Sequence, residues 1–162
     1  MPHRVRRAHG CPPTGPCCAR LAIVDSIFAR YPIATGIVIG VVSLVPHFFL
    51  SPAMSLAFAA VLLGIVAGVY FGFAVMKGSN FQQQVEFNVA SLFGIAALLG
   101  IGASPWFLPA SYLAHGLWDF AHHNRASLQL VSIPQWYIPW CVVIDVIIGF
   151  GLIVVWHWNG VL

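Results

Sequence analysis

The chain has 162 residues, 60% hydrophobic and only 7% charged, with a formal net charge of +3. Soluble proteins carry about 25% charged residues, so this composition excludes a water-soluble catalytic domain and requires lipid as the solvent. The small, localised positive charge gives no case for a nucleic-acid partner, and no GxGxxG or phosphate-loop pattern occurs.

Residues 1–30 form a basic, Pro-rich arm with Arg4, Arg6, Arg7, Arg20 and Arg30 and no continuous apolar run. That composition predicts poor order and no cleaved signal peptide. Cys11, Cys17 and Cys18 fall in its CPPTGPCC string. Such a string can bind metal or carry a lipid, and Pro-rich disorder is the plainer expectation. No structural disulfide is expected, because the topology below puts these thiols on the reducing side.

Residues 31–162 read as one all-α transmembrane domain of five helices in a bundle. The expected spans are about residues 32–50, 52–76, 81–103, 106–123 and 139–158, each near the roughly 20 residues a bilayer requires. Pro46 sits near the end of the first, and Lys77-Gly78-Ser79-Asn80 closes the second. The third opens with a polar QQQVEFN stretch, Ser104-Pro105 separates it from the fourth, and Asn124–Ile138 is a polar, proline-containing loop. With the N-terminus cytoplasmic and the C-terminus opposite, Lys77, Arg125 and the arm's arginines share one side, as the positive-inside rule expects. The corresponding location is the bacterial inner membrane. Ala60, Gly64, Gly68 and Gly72 form a small-residue stripe at intervals of four, and Gly36 and Gly40 repeat the spacing. Internal packing is the expectation for both, with a homo-oligomer contact as the alternative.

Between His115 and His123 the chain reads HGLWDFAHH. Helical spacing brings His115, Asp119, His122 and His123 onto one face. At about 1.5 Å per residue, His115 lies near the midplane and Asp119 about 6 Å nearer the cytoplasm. Glu86 and Asn88 enter this layer from the third span, and Cys141 and Asp145 from the fifth. Ionisable groups in a membrane helix are costly and mark function. The expected catalytic groups are Asp119, His115, Glu86 and Asp145; the expected metal ligands are His115, Asp119, His122, His123, Asp145 and Cys141. Imidazole and carboxylate suit Zn, Fe or Mn, and a thiolate tilts the choice to Zn. A fourth, open position would hold a water acidified toward neutrality, the chemistry of hydrolysis. Against this stands a structural role: His122 and His123 solvated at the interface, and a buried His115–Asp119 pair fixing helix register. His47 and His157 lie near the opposite interface. Trp106, Trp136, Trp140, Trp156 and Trp158 fit an aromatic belt, whereas Trp118 is expected against the polar cluster.

The run YFGFAV at Tyr70–Val75, Glu86, SPWFLPASYLAHGLWDFAHH at Ser104–His123 and IPQWYIPWCVVID at Ile133–Asp145 resemble a bacterial family of small integral membrane proteins filed under a domain of unknown function. The resemblance covers about residues 55–155. It rests on an HGxWDxxHH run followed by P-x-WY-x-P-x-C and an Asp four residues past the Cys. It implies that His115, Trp118, Asp119, His122, His123, Pro134, Trp136, Tyr137, Cys141 and Asp145 belong to one site, and it implies no activity. On the residues themselves, the leading expectation is a metal-binding membrane protein, with hydrolysis as one chemistry such a metal would allow. The rivals are a non-catalytic or pigment-contacting subunit of a larger membrane complex and, third, a small transporter or proton channel.

Overall fold

A computed structural model describes residues 27–162. The greater part of the basic arm, with Cys11, Cys17, Cys18 and Asp25, lies outside the described residues. The described residues are helical and include no strand. Five principal helices form: α1 (Pro32–Leu44), α2 (Pro52–Lys77), α3 (Asn80–Gly102), α4 (Phe107–Ala121) and α5 (Tyr137–Trp158).

Prolines and polar caps set the boundaries. Pro32 and Pro52 occupy first-turn positions, where the missing N–H costs nothing. Pro46 converts the end of the first segment to a 3-10 turn, Val45–Phe48. Ser79 caps α3 reciprocally: its hydroxyl accepts from the Gln82 backbone N–H, while the Gln82 side chain accepts from the Ser79 backbone N–H. Helices α2, α3 and α5 have 26, 23 and 22 residues and are long and apolar enough to cross a membrane. The other two expected spans are shorter. Helix α1 has 13 residues and α4 has 15, about 20 Å each at about 1.5 Å per residue. Pro46 stops the first, and a tightened turn at His122–Asn124 stops the second.

The packing order is not the chain order. Helix α1 packs along α5, α2 along α3, and α4 joins the two pairs through contacts with α3, α5 and α2. Leu63, Leu108, Tyr112, Leu152 and Trp156 fill the core between them. The Tyr112 hydroxyl donates to the Ala59 carbonyl at 2.8 Å, tying α4 to α2. Outward faces stay apolar, with Val38, Val61, Leu92, Leu98, Leu117 and Val154 exposed.

Two expectations change. The expected polar loop after His123 has an apolar middle: Leu130, Val131 and Ile133 are buried, the last two against Tyr70, Ala74 and Ile138. Gln82 Nε2 donates to the Gln129 and Leu130 carbonyls, and an Arg125 guanidinium N–H donates to the Ile133 carbonyl at 3.0 Å. These bonds satisfy a backbone that has no helix of its own, so the segment closes one end of the bundle. The glycines also divide differently. A Cβ on Gly36 would stand 2.9 Å from the Trp140 carbonyl oxygen, and one on Gly40 would stand 3.0 Å from Ile147. A Cβ on Gly64, Gly68 or Gly72 would meet nothing within 4 Å, so these three glycines do not pack internally among the described residues, whereas Ala60 at the start of the stripe is buried in the core. Gly36→Leu is therefore expected to destabilise the fold by about 1–3 kcal/mol through overpacking. Gly68→Leu should shift the isolated chain by under about 0.5 kcal/mol. Unfolding in denaturing detergent, followed by tryptophan fluorescence, checks the contrast.

Candidate functional site

Three buried side chains meet between α4 and α5. His115 and Asp119 are one helical turn apart on α4, and Asp145 faces them from α5. Their exposures are 1%, 0% and 0%. His115 Nδ1 lies 2.8 Å from Asp145 Oδ2 and 3.6 Å from Asp119 Oδ1. A Cβ on Gly116 would sit 3.5 Å from Asp145 Cβ, an ordinary contact distance, so the approach of α4 to α5 here does not require a glycine.

The cluster is under-satisfied. Asp119 Oδ1 and Oδ2, Asp145 Oδ1 and His115 Nε2 are buried without a hydrogen-bond partner. Most buried polar atoms are paired, because an unpaired one costs about 1–3 kcal/mol and more when charged. Two buried carboxylates also face each other with only one imidazole for compensation. One ligand atom from each of His115, Asp119 and Asp145 can be chosen so that all lie within 4.8 Å of one another. Ligands about 2.1 Å from a tetrahedral ion stand about 3.4 Å apart. The two nitrogen–oxygen distances of 2.8 and 3.6 Å bracket that value. These residues can hold a metal ion.

The other expected site residues are placed differently. Glu86, 2% exposed, pairs with His122, Oε1 to Nε2 at 3.0 Å, while its Oε2 accepts from the Trp118 indole N–H at 3.3 Å. His122 Nδ1–H donates to the Trp118 carbonyl at 3.1 Å. Both nitrogens of His122 therefore face acceptors, which requires a proton between Nε2 and Oε1. His123 is exposed, its ring edge-on to Phe120 at 5.5 Å. The 3-10 turn at His122 advances each residue by about 120° and carries His123 off the buried face. Asn88 is exposed and accepts from Gln84. Cys141 is a buried thiol outside the three-residue group. That removes the thiolate that tilted the expected metal toward Zn and leaves an oxygen-rich donor set.

Tyr70 was not among the expected site residues. Its ring lies 4.3 Å from His122, and its buried hydroxyl has no partner and approaches Asp119. The YFGFAV run carried the only signal for it. At the other end of the bundle, His47 Nδ1 lies 2.6 Å from Ser55 Oγ, which also accepts from the Trp156 indole N–H at 2.8 Å. Trp156 is thus fully buried, not part of an interfacial belt.

These features define a class: an all-helical protein with membrane-length apolar helices and a buried His–Asp–Asp group. Residues 31–160 match the family of unknown function DUF6010, and the chain belongs to that family. No curated protein and no solved structure matches it.

Proposed function

We propose that this protein is an integral membrane protein that binds a divalent cation, Mn, Fe or Zn, at His115, Asp119 and Asp145. The observation that carries this reading is the convergence of His115, Asp119 and Asp145, whose carboxylates leave three buried oxygens, Asp119 Oδ1 and Oδ2 and Asp145 Oδ1, without a partner. A cation held by one atom of each side chain would offset the charge of the two carboxylates. It would supply Lewis-acid polarisation and an acidified water, the chemistry of hydrolysis. The chain's own part is to hold the two carboxylates and imidazole rigidly, to exclude bulk water with the 130–133 segment, and to keep the Tyr70 hydroxyl within reach of Asp119. Glu86 and His122 brace α3 against the end of α4 as a positioning pair.

The proposed topology has five crossings with a cytoplasmic N-terminus, α1 and α4 being completed by their 3-10 extensions. It rests on the placement of Arg30, Lys77 and Arg125 at the same end of the bundle as Glu86 and His122, which fits the positive-inside rule. In a bacterium this is the inner membrane. A second reading, an accessory subunit or homo-oligomer, draws on one observation: the open Gly64–Gly68–Gly72 face, suited to a close-packed helix. The Gly68→Leu substitution would break that contact while sparing the isolated chain.

Elemental analysis of detergent-purified protein tests the leading reading. Near-stoichiometric Mn, Fe or Zn is expected in the wild type and under a tenth as much in Asp119→Ala. Metal-free wild-type protein that cannot be reloaded would sink it.

A further inference from the structure

Between the turn that ends α4 and the start of α5 lies a cleft of about 440 Å³. It is lined chiefly by His122, His123, Asn124, Arg125, Gln135 and Ile138. Guanidinium, imidazole and amide groups thus form its polar wall, and no carboxylate does. The three carboxylates among the described residues are all buried elsewhere. Asp119 and Asp145 belong to the His–Asp–Asp group, and Glu86 is held by His122 and Trp118.

Arg125 is the residue that points to a ligand. One of its guanidinium N–H groups donates to the Ile133 carbonyl at 3.0 Å, which fixes the fork without neutralising it. The side chain is half-buried, and among the described residues it has no carboxylate partner. A guanidinium carries five N–H groups and stays charged at every physiological pH. The bond to Ile133 uses one of them. His123, Asn124 and Gln135 are exposed, so their N–H groups can turn toward a guest in the cleft. A fixed positive fork ringed by neutral donors, with no negative charge in the wall, suits an oxyanion. Phosphate fits better than carboxylate, because it offers acceptor oxygens in several directions, and the donors come from both the 123–125 turn and Gln135 across the cleft. We propose that this cleft binds a phosphate group, with Arg125 as its principal contact. Under the topology proposed above, the cleft opens at the depth of the lipid phosphates, so the group can belong to a headgroup or to a soluble phosphate ester. The cleft shares no residue with the His–Asp–Asp group, and the proposal holds with or without a metal there.

The test measures binding to the full chain in a non-ionic detergent at 0.15 M salt, where charges about 8 Å apart or more are largely screened. The probes are dioctanoyl phosphatidylglycerol, glycerol 3-phosphate and, as controls, dioctanoylglycerol and glycerate. Saturable binding of a phosphate-bearing probe is expected, at least about tenfold tighter than its phosphate-free control. Arg125→Lys keeps the charge but loses the fork, and should weaken binding at least about tenfold. Gln135→Glu leaves the Arg125–Ile133 bond in place and puts a carboxylate in the cleft, so it should weaken binding as much. That second variant carries the test if Arg125→Lys fails to fold. Lys77→Gln removes a charge outside the cleft and should leave affinity within about twofold of wild type. Binding of the lipid alone assigns the phosphate to a headgroup, and equal binding of glycerol 3-phosphate assigns it to a soluble ester. Unchanged affinity in Gln135→Glu overturns the proposal, as does glycerate binding as tightly as glycerol 3-phosphate. An equal loss in Lys77→Gln would also overturn it, by reducing the effect to general attraction between a basic surface and an anion.

Discussion

Metal-free Asp119→Asn protein is expected to melt no lower than metal-free wild type, and to lose the stabilisation that added metal gives the wild type. Both Asp119 oxygens are buried and unpartnered beside a second buried carboxylate. In the absence of a cation this arrangement opposes folding, since taking an unpaired charge out of water costs several kcal/mol. An amide of the same shape removes the charge and relieves that cost. With metal at about 1,000 times its dissociation constant, the wild type gains about 4 kcal/mol by mass action. The variant, lacking a ligand charge, should gain a small fraction of it. A structural lock makes the opposite forecast, because breaking one partner of a satisfied buried pair costs about 3–5 kcal/mol with or without metal. Thermal unfolding by circular dichroism, with chelator and then with Mn or Zn, distinguishes them. A variant that melts far below wild type in chelator would overturn the metal-site reading.

Glu86 should respond in the reverse sense. Glu86→Ala leaves the buried His122 Nε2 without a partner and takes the acceptor from the part-buried Trp118 indole N–H, and an expected loss of about 3–5 kcal/mol follows. Glu86→Gln should stay within about 1 kcal/mol of wild type. Its amide oxygen can accept from Trp118 while its amide N–H donates to His122 Nε2, with Nδ1–H still donating to the Trp118 carbonyl. Metal content should be unchanged in Glu86→Gln, because Glu86 stands outside the three-residue group. Loss of metal in that variant would make Glu86 a ligand and refute its assignment as a brace.

Much of the site was legible because depth counting needs only helix periodicity and the positions of the breaks. Counting residues from Lys77, Arg125 and Pro139 placed Asp119, Glu86 and Asp145 in one layer, and the structure brings Asp145 to His115 and Asp119. It could not divide that layer into a His–Asp–Asp group and a separate Glu86–His122 pair. That division depends on a 3-10 turn at His122 and on which faces adjoin. Helix faces are the harder problem here. In water, a polar face and an apolar face reveal which side packs. In lipid both sides are apolar, so Gly36 and Gly64 look alike in sequence although one meets Trp140 and the other meets nothing. Span length was overestimated for a related reason. Apolar residues continue past Pro46 to Leu50, but the regular helix does not. The 124–138 loop reads as polar because Asn124, Arg125, Gln129, Pro134 and Gln135 surround Leu130, Val131 and Ile133, the three apolar side chains that fold inward.

The pairing of α1 with α5 also bears on how the chain is made. From Gly36 to its contact at Trp140 there are about 100 residues, which a ribosome adds in roughly 5–20 s at roughly 5–20 residues per second. Throughout that interval the first helix lacks its main packing partner and must wait in the bilayer or the translocation machinery. The helix that finally receives it also delivers Asp145, so docking of α1 and completion of the His–Asp–Asp group are a single late event in biogenesis. A nascent chain arrested before α5 would therefore lack both, however well α2, α3 and α4 had already assembled.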